Sequence, residues 1–172
     1  MIHIYTGNGK GKTTSAFGLA MRACGQGMKV AIFQFLKPKR FLCGEHVSVK
    51  KLKGIDLIRF EQAHPMFGCV RLSLSNLKKC LKKDLETAKR AVMGKKYDMV
   101  VLDEIINAAD QGFISRRALP SLLKSTPRNI ELVLTGRGDI SDIERYADYI
   151  TVMVDKKHPF KRGALARRGI EY

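Results

Sequence analysis

A glycine-rich stretch near the start of the chain has the residue types and spacing of a phosphate-binding loop. Residues 6–14 read TGNGKGKTT, and Gly11, Lys12 and Thr13 fill the last three places of the pattern G-x-x-x-x-G-K-[ST]. Thr6 stands where that pattern has its first glycine. A loop of this kind binds phosphate through backbone N–H groups and the positive end of the following helix. We therefore expect Lys12 to reach the phosphates and Thr13 to offer its hydroxyl group to Mg²⁺.

Two acidic residues follow an apolar run further along the chain. Residues 99–102 read MVVL, and Asp103 and Glu104 come directly after them. A phosphate loop needs an acid at the end of a neighbouring strand to complete its magnesium site. Either acid is expected to hold Mg²⁺, directly or through water. The alternative is a solvated acid pair that caps the next helix.

An arginine lies in a third stretch of this kind. Residues 134–138 read LTGRG, so Arg137 follows an apolar run as the acid pair does. Because the carboxyl ends of parallel strands form the ligand crevice of an open α/β sheet, Arg137 is a candidate for binding phosphate or stabilising negative charge. An arginine in a glycine-flanked turn can equally be solvated.

These three stretches need a framework that brings strand ends together, and the chain alternates strand-like and helical segments. Such alternation predicts a parallel sheet with crossover helices. Continuously apolar runs at 100–102 and 132–134 are typical of central strands covered on both faces. We expect a three-layer α/β fold of the P-loop NTPase type, RecA-like, with a mainly parallel central sheet of about six strands. The predicted strands are Ile2–Tyr5, Lys29–Phe35, Ile55–Phe60, Asp98–Leu102, Glu131–Leu134 and Tyr149–Val154.

Two helices are predicted in detail. The first begins at the phosphate loop near Lys12 and ends at about Cys24, before two glycines. The second spans 75–93, with lysines on one face and apolar residues at every third or fourth position on the other. Its apolar residues are Leu77, Leu81, Leu85, Ala88 and Val92. We expect one P-loop domain over residues 1–172, with a loop-rich region at about 36–72 and a basic C-terminal segment at 155–172.

The composition limits the setting in which the protein works. With 32 lysine and arginine residues against 16 aspartate and glutamate residues, the 172-residue chain has a formal net charge of +16, which attracts anionic partners. The chain enters a strand-like segment at once and has no apolar run of about 18 residues, so we expect a cytoplasmic protein without a membrane span. The four cysteines form no Cys-x-x-Cys pair and are expected to be free thiols.

In combination the motifs resemble one family. TGNGKGKTT with AFGLAMRACGQG behind it, QFLK at 34–37, VVLDEI at 100–105, LTGRG at 134–138 and the closing KHPFKRGALARRGIEY are similar to the P-loop type of ATP:corrinoid adenosyltransferase, also called cob(I)alamin adenosyltransferase. The resemblance covers most of the chain. It implies transfer of the 5′-deoxyadenosyl group of ATP to the cobalt of a Co(I) corrinoid, with Mg²⁺ as cofactor and triphosphate as leaving group, in adenosylcobalamin synthesis or salvage.

The resemblance assigns roles to individual residues. It implies that residues 7–14 bind the triphosphate, that Asn8 and Arg22 also contact the nucleoside side, and that Thr13 and Glu104 arrange Mg²⁺. Lys12 suits this reaction because preorganised positive groups stabilise the charge that grows on the departing triphosphate, and Arg137 is the second candidate for that task. The residues expected at the nucleotide are Gly7, Asn8, Gly9, Lys10, Gly11, Lys12, Thr13, Thr14 and Arg22.

The chain departs from the family between about residues 36 and 72. There the family carries an aromatic segment with Phe and Trp that approaches the corrin, whereas this chain contains no Trp. Residues 61–68, EQAHPMFG, lie at a similar place. Phe67 or Met66 is therefore a candidate for the same apolar contact with the corrin. The alternative is that Phe67 belongs to the core.

Other functions are also compatible with parts of the sequence. A generic P-loop ATPase would use Glu104 to polarise water and the positive surface to bind RNA or DNA, but the basic clusters lack interleaved aromatic residues for base stacking, so nucleic acid is not the expected partner. The presence of both metal-site motifs disfavours a non-catalytic nucleotide-sensing or nucleic-acid-binding module. A Zn²⁺ site would draw on Cys43, His46, His64 and Cys69, which have irregular spacings.

The adenosyltransferase interpretation also predicts partners. The excess positive charge favours docking of an acidic electron donor such as reduced flavodoxin, or attraction of the carboxylates of the corrinoid. The family resemblance further suggests a homodimer.

Overall fold

The computed structural model describes residues 1–37, 39, 42–62 and 73–171, with the backbone alone for residues 160 and 161. Six parallel strands form one sheet in the order β3-β2-β4-β5-β1-β6. The strands are β1 (Ile2–Thr6), β2 (Val30–Gln34), β3 (Ile55–Arg59), β4 (Met99–Asp103), β5 (Glu131–Thr135) and β6 (Tyr149–Val152). All six predicted strands are present, each within about two residues of the predicted ends, which is the usual uncertainty of element boundaries.

Helices connect the strands on both sides of the sheet. They are α1 (Lys12–Gly25), α2 (Gly44–Val49), α3 (Leu74–Met93), α4 (Ile105–Asp110) and α5 (Ala118–Ser125), with 3₁₀ turns at Glu144–Tyr146 and Pro159–Arg162. The two predicted helices correspond to α1 and α3. No bounds were predicted for α2, α4 and α5, because their six to eight residues carry too short a periodic pattern to stand out.

Two apolar cores lie on opposite faces of the sheet, which gives the fold its three layers. On one face α1 packs Ala16, Phe17 and Ala20 against β2 and β4. On the other face α3, α4 and α5 pack against the same strands and β5. The five apolar residues predicted for the inner face of α3 are all buried. The predicted three-layer α/β fold is therefore confirmed.

The position of each strand in the sheet follows its apolar content. The central strands β4 and β5 are the two continuously apolar runs, and β4 is buried along its whole length. By contrast, every residue of the edge strand β6 is exposed. Among the residues described, no helix is both long and apolar enough to cross a membrane. Cys24, Cys43 and Cys80 are free thiols.

Candidate active site

The carboxyl ends of β1, β2, β4 and β5 meet at one edge of the sheet, where they border a cavity of about 1040 Å³. The cavity brings the predicted phosphate loop, acid pair and arginine together. Its lining includes Gly9, Lys10, Gly11, Lys12, Thr13, Thr14, Lys37, Glu104 and Arg137. Three stretches that lie far apart in the sequence, with 125 positions between Lys12 and Arg137, thus face one space, as expected for strand ends of a parallel α/β sheet.

The phosphate loop is held in shape by its own lysine. The Lys12 ammonium group donates hydrogen bonds to the carbonyl oxygens of Gly7 and Gly9, at 2.6 and 2.7 Å. Burial, and next the charge of Arg137, lower the pKa of Lys12. The side chain therefore closes the turn that leads into α1, and its charge lies where the loop meets the cavity.

The loop also packs against the chain that follows β6. The backbone N–H of Gly9 donates to the carbonyl oxygen of Met153 at 2.7 Å, and the N–H of Met153 donates to Thr6 at 2.7 Å. A Cβ atom at Gly9 would lie 2.8 Å from that Met153 oxygen, and one at Gly7 would overlap it as well. Glycine is required at these two positions because another backbone lies against the loop.

Beneath the loop lies a buried group of polar side chains, which we call the floor network: Thr13, Gln34, Lys37, Asp103 and Thr135. Asp103 is its centre and is fully buried. One carboxylate oxygen accepts from the hydroxyls of Thr13 and Thr135, at 2.8 and 2.7 Å. The other accepts from Lys37 at 2.8 Å and from the amide of Gln34 at 3.1 Å. All of these donors stabilise the ionised carboxylate.

The charges of the floor network set its protonation. Burial by itself raises the pKa of Asp103, but the Lys37 charge and the hydrogen bonds from Lys37, Thr135 and Thr13 outweigh it and lower the pKa. Burial by itself lowers the pKa of Lys37, whereas the carboxylates of Asp103 and Glu104 outweigh that effect and raise it. The Lys37–Asp103 pair is therefore ionised at neutral pH.

The two acids of the predicted metal site have different surroundings. Asp103 is enclosed by its four donors, and the cavity lining includes only Glu104 of the two. Glu104 has a left-handed backbone, with φ 63°, and its N–H donates to the Thr135 hydroxyl at 3.0 Å. Burial, and next the charge of Asp103, raise the pKa of the Glu104 carboxyl. The left-handed turn gives Glu104 a place on the cavity wall, while Asp103 positions Thr13 from below.

A second left-handed residue lies at the end of the neighbouring strand. Leu36 has φ 56° although it is not glycine, which costs roughly 1–2 kcal/mol. It follows Phe35, whose N–H donates to the carbonyl oxygen of Asp103 at 3.0 Å. The turn at Leu36 comes directly before Lys37. The strained residue therefore lies where the chain leaves β2 and begins to line the cavity.

The turn that carries Arg137 is fastened to α4. The Arg137 N–H donates to the Asn107 side-chain oxygen at 2.6 Å, and the Asp139 N–H donates to Asp110 at 2.9 Å. Sequence analysis missed Asn107 and Asp110. Their spacing of three residues, directly after the acid pair, places both on one face of a helix and is the signal that could have identified them.

The C-terminal strap, residues 158–171, borders the cavity on the side of the phosphate loop. Its residues His158, Gly169, Ile170 and Glu171 belong to the lining. The Lys10 ammonium group donates to the backbone oxygen of Ile170 and to the Glu171 carboxylate, at 3.1 and 3.0 Å. Arg167 also donates to Glu171, from its backbone and its guanidinium group. Sequence analysis had given this basic segment no contact with the loop.

Several predicted site residues lie outside the cavity lining. Gly7 and Asn8 belong to the loop but do not line the cavity, and Arg22 is exposed in the last turn of α1. Phe67 and Met66 lie outside the described residues. The roles of these residues in binding nucleoside or corrin stay predictions.

The residues of the suggested Zn²⁺ site form a helix cap. Cys43, Glu45 and His46 place ligand atoms within 4.8 Å of one another. The Cys43 N–H donates to His46 Nδ1 at 3.1 Å, and the two side chains form a reciprocal capping box at the start of α2. Capping accounts for their proximity, while His64 and Cys69 lie outside the described residues.

Comparison with known protein families shows which family of enzymes has this sequence. The profile of the family described as ATP:corrinoid adenosyltransferase BtuR/CobO/CobP matches residues 1–172. The chain belongs to the ATP:corrinoid adenosyltransferase family. The family resemblance expected from the motifs is thereby confirmed.

Individual corrinoid adenosyltransferases are similar in sequence to this chain over its whole length. The corrinoid adenosyltransferase of Escherichia coli K12 is 32% identical over 172 residues, which cover 100% of this chain and 85% of that protein. The one from Sinorhizobium sp. is 33% identical over 173 residues, with 100% and 80% coverage. The one from Salmonella typhimurium LT2 is 32% identical over 177 residues, with 100% and 85% coverage.

Proposed function

We propose that the protein transfers the 5′-deoxyadenosyl group of ATP to the cobalt of a reduced Co(I) corrinoid and releases triphosphate, in the synthesis or salvage of adenosylcobalamin. Family membership gives the reaction class. The structural observation that carries the proposal is that Lys12, Glu104 and Arg137 line the same cavity. Its volume of about 1040 Å³ is at the upper end for small-molecule sites, which suits a reaction with two substrates.

The reaction needs no nucleophile from the protein, because the Co(I) substrate is itself the nucleophile. The protein has to bind the triphosphate that leaves. The electron pair of the Co(I) substrate forms the bond to the 5′ carbon of ATP, while the carbon–oxygen bond breaks and its electrons leave with the triphosphate. Negative charge therefore grows at the phosphate loop. Lys12 and Arg137, which lie close enough for their charges to interact, supply preorganised positive charge there. The cavity walls align the two substrates and limit the access of water.

The residues around Thr13 fit Mg²⁺ as cofactor. A hydroxyl and two carboxylates are the hard oxygen ligands that this ion prefers, and Gln34 adds a buried side-chain oxygen without a hydrogen-bond partner among the described residues. We propose that Thr13 and Glu104 hold Mg²⁺ and that Asp103 orients the Thr13 hydroxyl. When bound with ATP, Mg²⁺ neutralises charge on the departing triphosphate.

The predicted contacts of the nucleotide complete the proposal. Residues 7–14 bind the triphosphate, and Asn8 and Arg22 contact the nucleoside. Phe67 makes the apolar contact with the corrin. Substitution of Arg22 by alanine should raise the KM for ATP without changing the products, and substitution of Phe67 by alanine should raise the KM for the corrinoid alone.

We further propose that the protein is a cytoplasmic homodimer and that it receives electrons from an acidic donor such as reduced flavodoxin. The net charge of +16 and the exposed lysines of α3 support the second point. If charge drives docking, reduction of bound Co(II) corrinoid should slow steeply between low and high salt. A rate that does not respond to ionic strength would contradict the docking model and leave the transfer reaction untouched.

The deciding experiment follows both products. The protein is mixed anaerobically with chemically reduced cob(I)alamin and MgATP, the corrinoid spectrum is recorded, and the phosphate product is separated. The proposal predicts a light-sensitive adenosyl-corrinoid and intact triphosphate in equal amounts. Release of ADP and orthophosphate without a change at cobalt would instead identify an ATPase, and stimulation by nucleic acid would then be measured.

A further inference from the structure

The floor network already contains a cation, the ammonium group of Lys37. We propose that this ammonium group occupies the position of the divalent ion while no nucleotide is bound, and that MgATP displaces it. Lys37 is then a positioning residue that makes metal binding depend on nucleotide binding. This inference rests on the proposed Mg²⁺ site for its metal ligands, but it concerns a group to which neither the motifs nor the family comparison gives a role.

The contacts of Lys37 are those of a cation at the metal site. Its nitrogen lies 2.8 Å from Asp103 Oδ2, 3.1 Å from Thr13 Oγ1 and 4.0 Å from Glu104 Oε1. Thr13 and Glu104 are the two residues proposed to hold Mg²⁺, and Asp103 is the other acid of the predicted metal site. An ammonium group and a metal ion cannot both lie among them, because each needs the same lone pairs and their charges repel.

The backbone places the lysine there. The hydrogen bond from Phe35 to the Asp103 carbonyl extends the pairing of β2 with β4 beyond the end of β2. The left-handed Leu36, with its side chain buried, then turns the chain so that Lys37 follows beside Asp103. A strained turn next to a buried ion pair indicates that the fold fixes the backbone of Lys37 beside Asp103, so only the side chain has to move when the ammonium group is displaced.

The exchange has a direction that follows from charge. Free Mg²⁺ would have to displace the Lys37 ammonium group from a buried carboxylate, and the ammonium group would then have no anionic partner. MgATP also brings the negative charge of the triphosphate, and Lys37 lines the cavity in which the triphosphate is expected. Because the displaced ammonium group then has a new partner, the metal and the nucleotide are expected to bind cooperatively.

The test measures Mn²⁺ binding by electron paramagnetic resonance, with Mn²⁺ as the probe of the oxygen site. We expect the unaltered protein to bind Mn²⁺ tightly only when ATP is present. Lys37→Met should bind free Mn²⁺ at least tenfold more tightly than the unaltered protein. Adding Glu104→Gln to that variant should remove the gain, which locates it at this site. Asp103 keeps its other three donors in Lys37→Met, and thermal unfolding checks that the variant is folded before Mn²⁺ binding is measured.

Lys39→Met is the matched control. Lys39 lies two residues further on and pairs with the exposed Glu61 at 3.0 Å, outside the cavity lining. Its substitution should leave the binding of free Mn²⁺ unchanged. If Lys37→Met binds free Mn²⁺ no better than the unaltered protein and Lys39→Met, the proposal is wrong.

A second measurement needs no stable variant at this position. In the ¹⁵N-labelled protein, the ammonium signal of Lys37 should be protected from exchange with water and should shift on addition of MgATP but not of MgCl₂ alone. A shift with MgCl₂ alone, or none with MgATP, would overturn the proposal. Adenosylation of cob(I)alamin by the unaltered protein is assayed separately, so a failure of the proposed reaction can be told apart from a failure of the cation exchange.

Discussion

Two ion pairs flank the phosphate loop, and they differ in almost everything except length. Lys37 and Asp103 lie 2.8 Å apart beneath the loop, with side chains 25% and 0% exposed. Lys10 and Glu171 lie 3.0 Å apart above it, with side chains 48% and 25% exposed. Asp103 accepts from three further groups of the floor network, whereas Glu171 accepts from Arg167 and Lys10 at the surface.

The difference shows that the surroundings of a charge pair, more than its distance, decide what the pair does. A buried carboxylate that loses its cation keeps a large desolvation penalty, so the pair beneath the loop is part of the fold. An exposed pair competes with water and salt and adds little to stability. The floor network therefore fixes the geometry of the site, while the C-terminal strap is held by contacts that exchange easily with solvent.

The largest expected effect is on the buried carboxylate. Asp103→Asn keeps the shape of the side chain but removes the charge opposite Lys37, so the free energy of unfolding should fall by about 3 kcal/mol or more in urea titrations. The matched control is Asp56→Asn. Asp56 also lies 2.8 Å from its lysine, Lys96, but both side chains are more than half exposed, and the unfolding midpoint should hardly move. Equal losses of stability in Asp103→Asn and Asp56→Asn would contradict the proposed difference between buried and exposed pairs.

The next effect concerns the two lysines of the phosphate loop. Lys12→Ala removes a buried charge beside the leaving group, and kcat for adenosyl transfer should fall by about 10²- to 10³-fold. Lys10→Ala removes an exposed charge tied to the strap, and its loss should be below about tenfold. The exposed Lys124 of α5 serves as control, since Lys124→Ala should leave kcat unchanged. Comparable losses at Lys10 and Lys12 would show that the strap is as important as the loop interior.

The phosphate loop is also held by its backbone contact with Met153, which follows β6. Gly9→Ala would place a methyl group 2.8 Å from the Met153 oxygen, so we expect a loss of about 1–3 kcal/mol in stability together with weaker ATP binding. Gly18→Ala on α1 is the control. Apart from its chain neighbours and the backbone of its own helix, no atom lies within 4 Å of a Cβ atom there, and the helix should gain about 0.5–1 kcal/mol. Thermal unfolding of both variants measures the difference.

The smallest effect is expected at the strap, and it depends on pH. Hydrogen bonds from Arg167 and then Lys10 lower the pKa of Glu171 from 4.5 to about 2. A lowered carboxyl pKa means that the contact contributes fully above pH 4.5 and is lost as the pH falls through about 2. The ¹³C signal of the Glu171 carboxylate, followed from pH 6 to pH 2, should titrate near the lower value.

A substitution provides the second measurement on the strap. Glu171→Gln should speed cleavage by trypsin after Arg167 and Arg168 without lowering the unfolding temperature noticeably. Glu86→Gln, at an exposed position of α3, should do neither. A large fall in unfolding temperature for Glu171→Gln would place the strap with the floor network and not with the surface.

Much of the fold was predictable because its signals are local. Strands β4 and β5 are continuously apolar runs, and α3 repeats its apolar residues with helical spacing, so period and composition specified both the elements and their buried faces. The phosphate loop was predictable from its glycines and Lys12. The acid pair was predictable as a pair, but the roles of Asp103 and Glu104 depended on which one the fold buries.

The remaining features of the site join residues that are distant in sequence. Lys37 meets Asp103 across 66 positions, and Lys10 meets Glu171 across 161. Neither contact has a local pattern, because each depends on strand order and on the left-handed turns that follow β2 and β4. The sequence by itself determined the six strands, the two longest helices, the phosphate loop and the family. Only the tertiary structure decided which acid is enclosed, which lysine lies at the metal site and what covers the loop, since burial and charge pairing arise when separate strand ends meet.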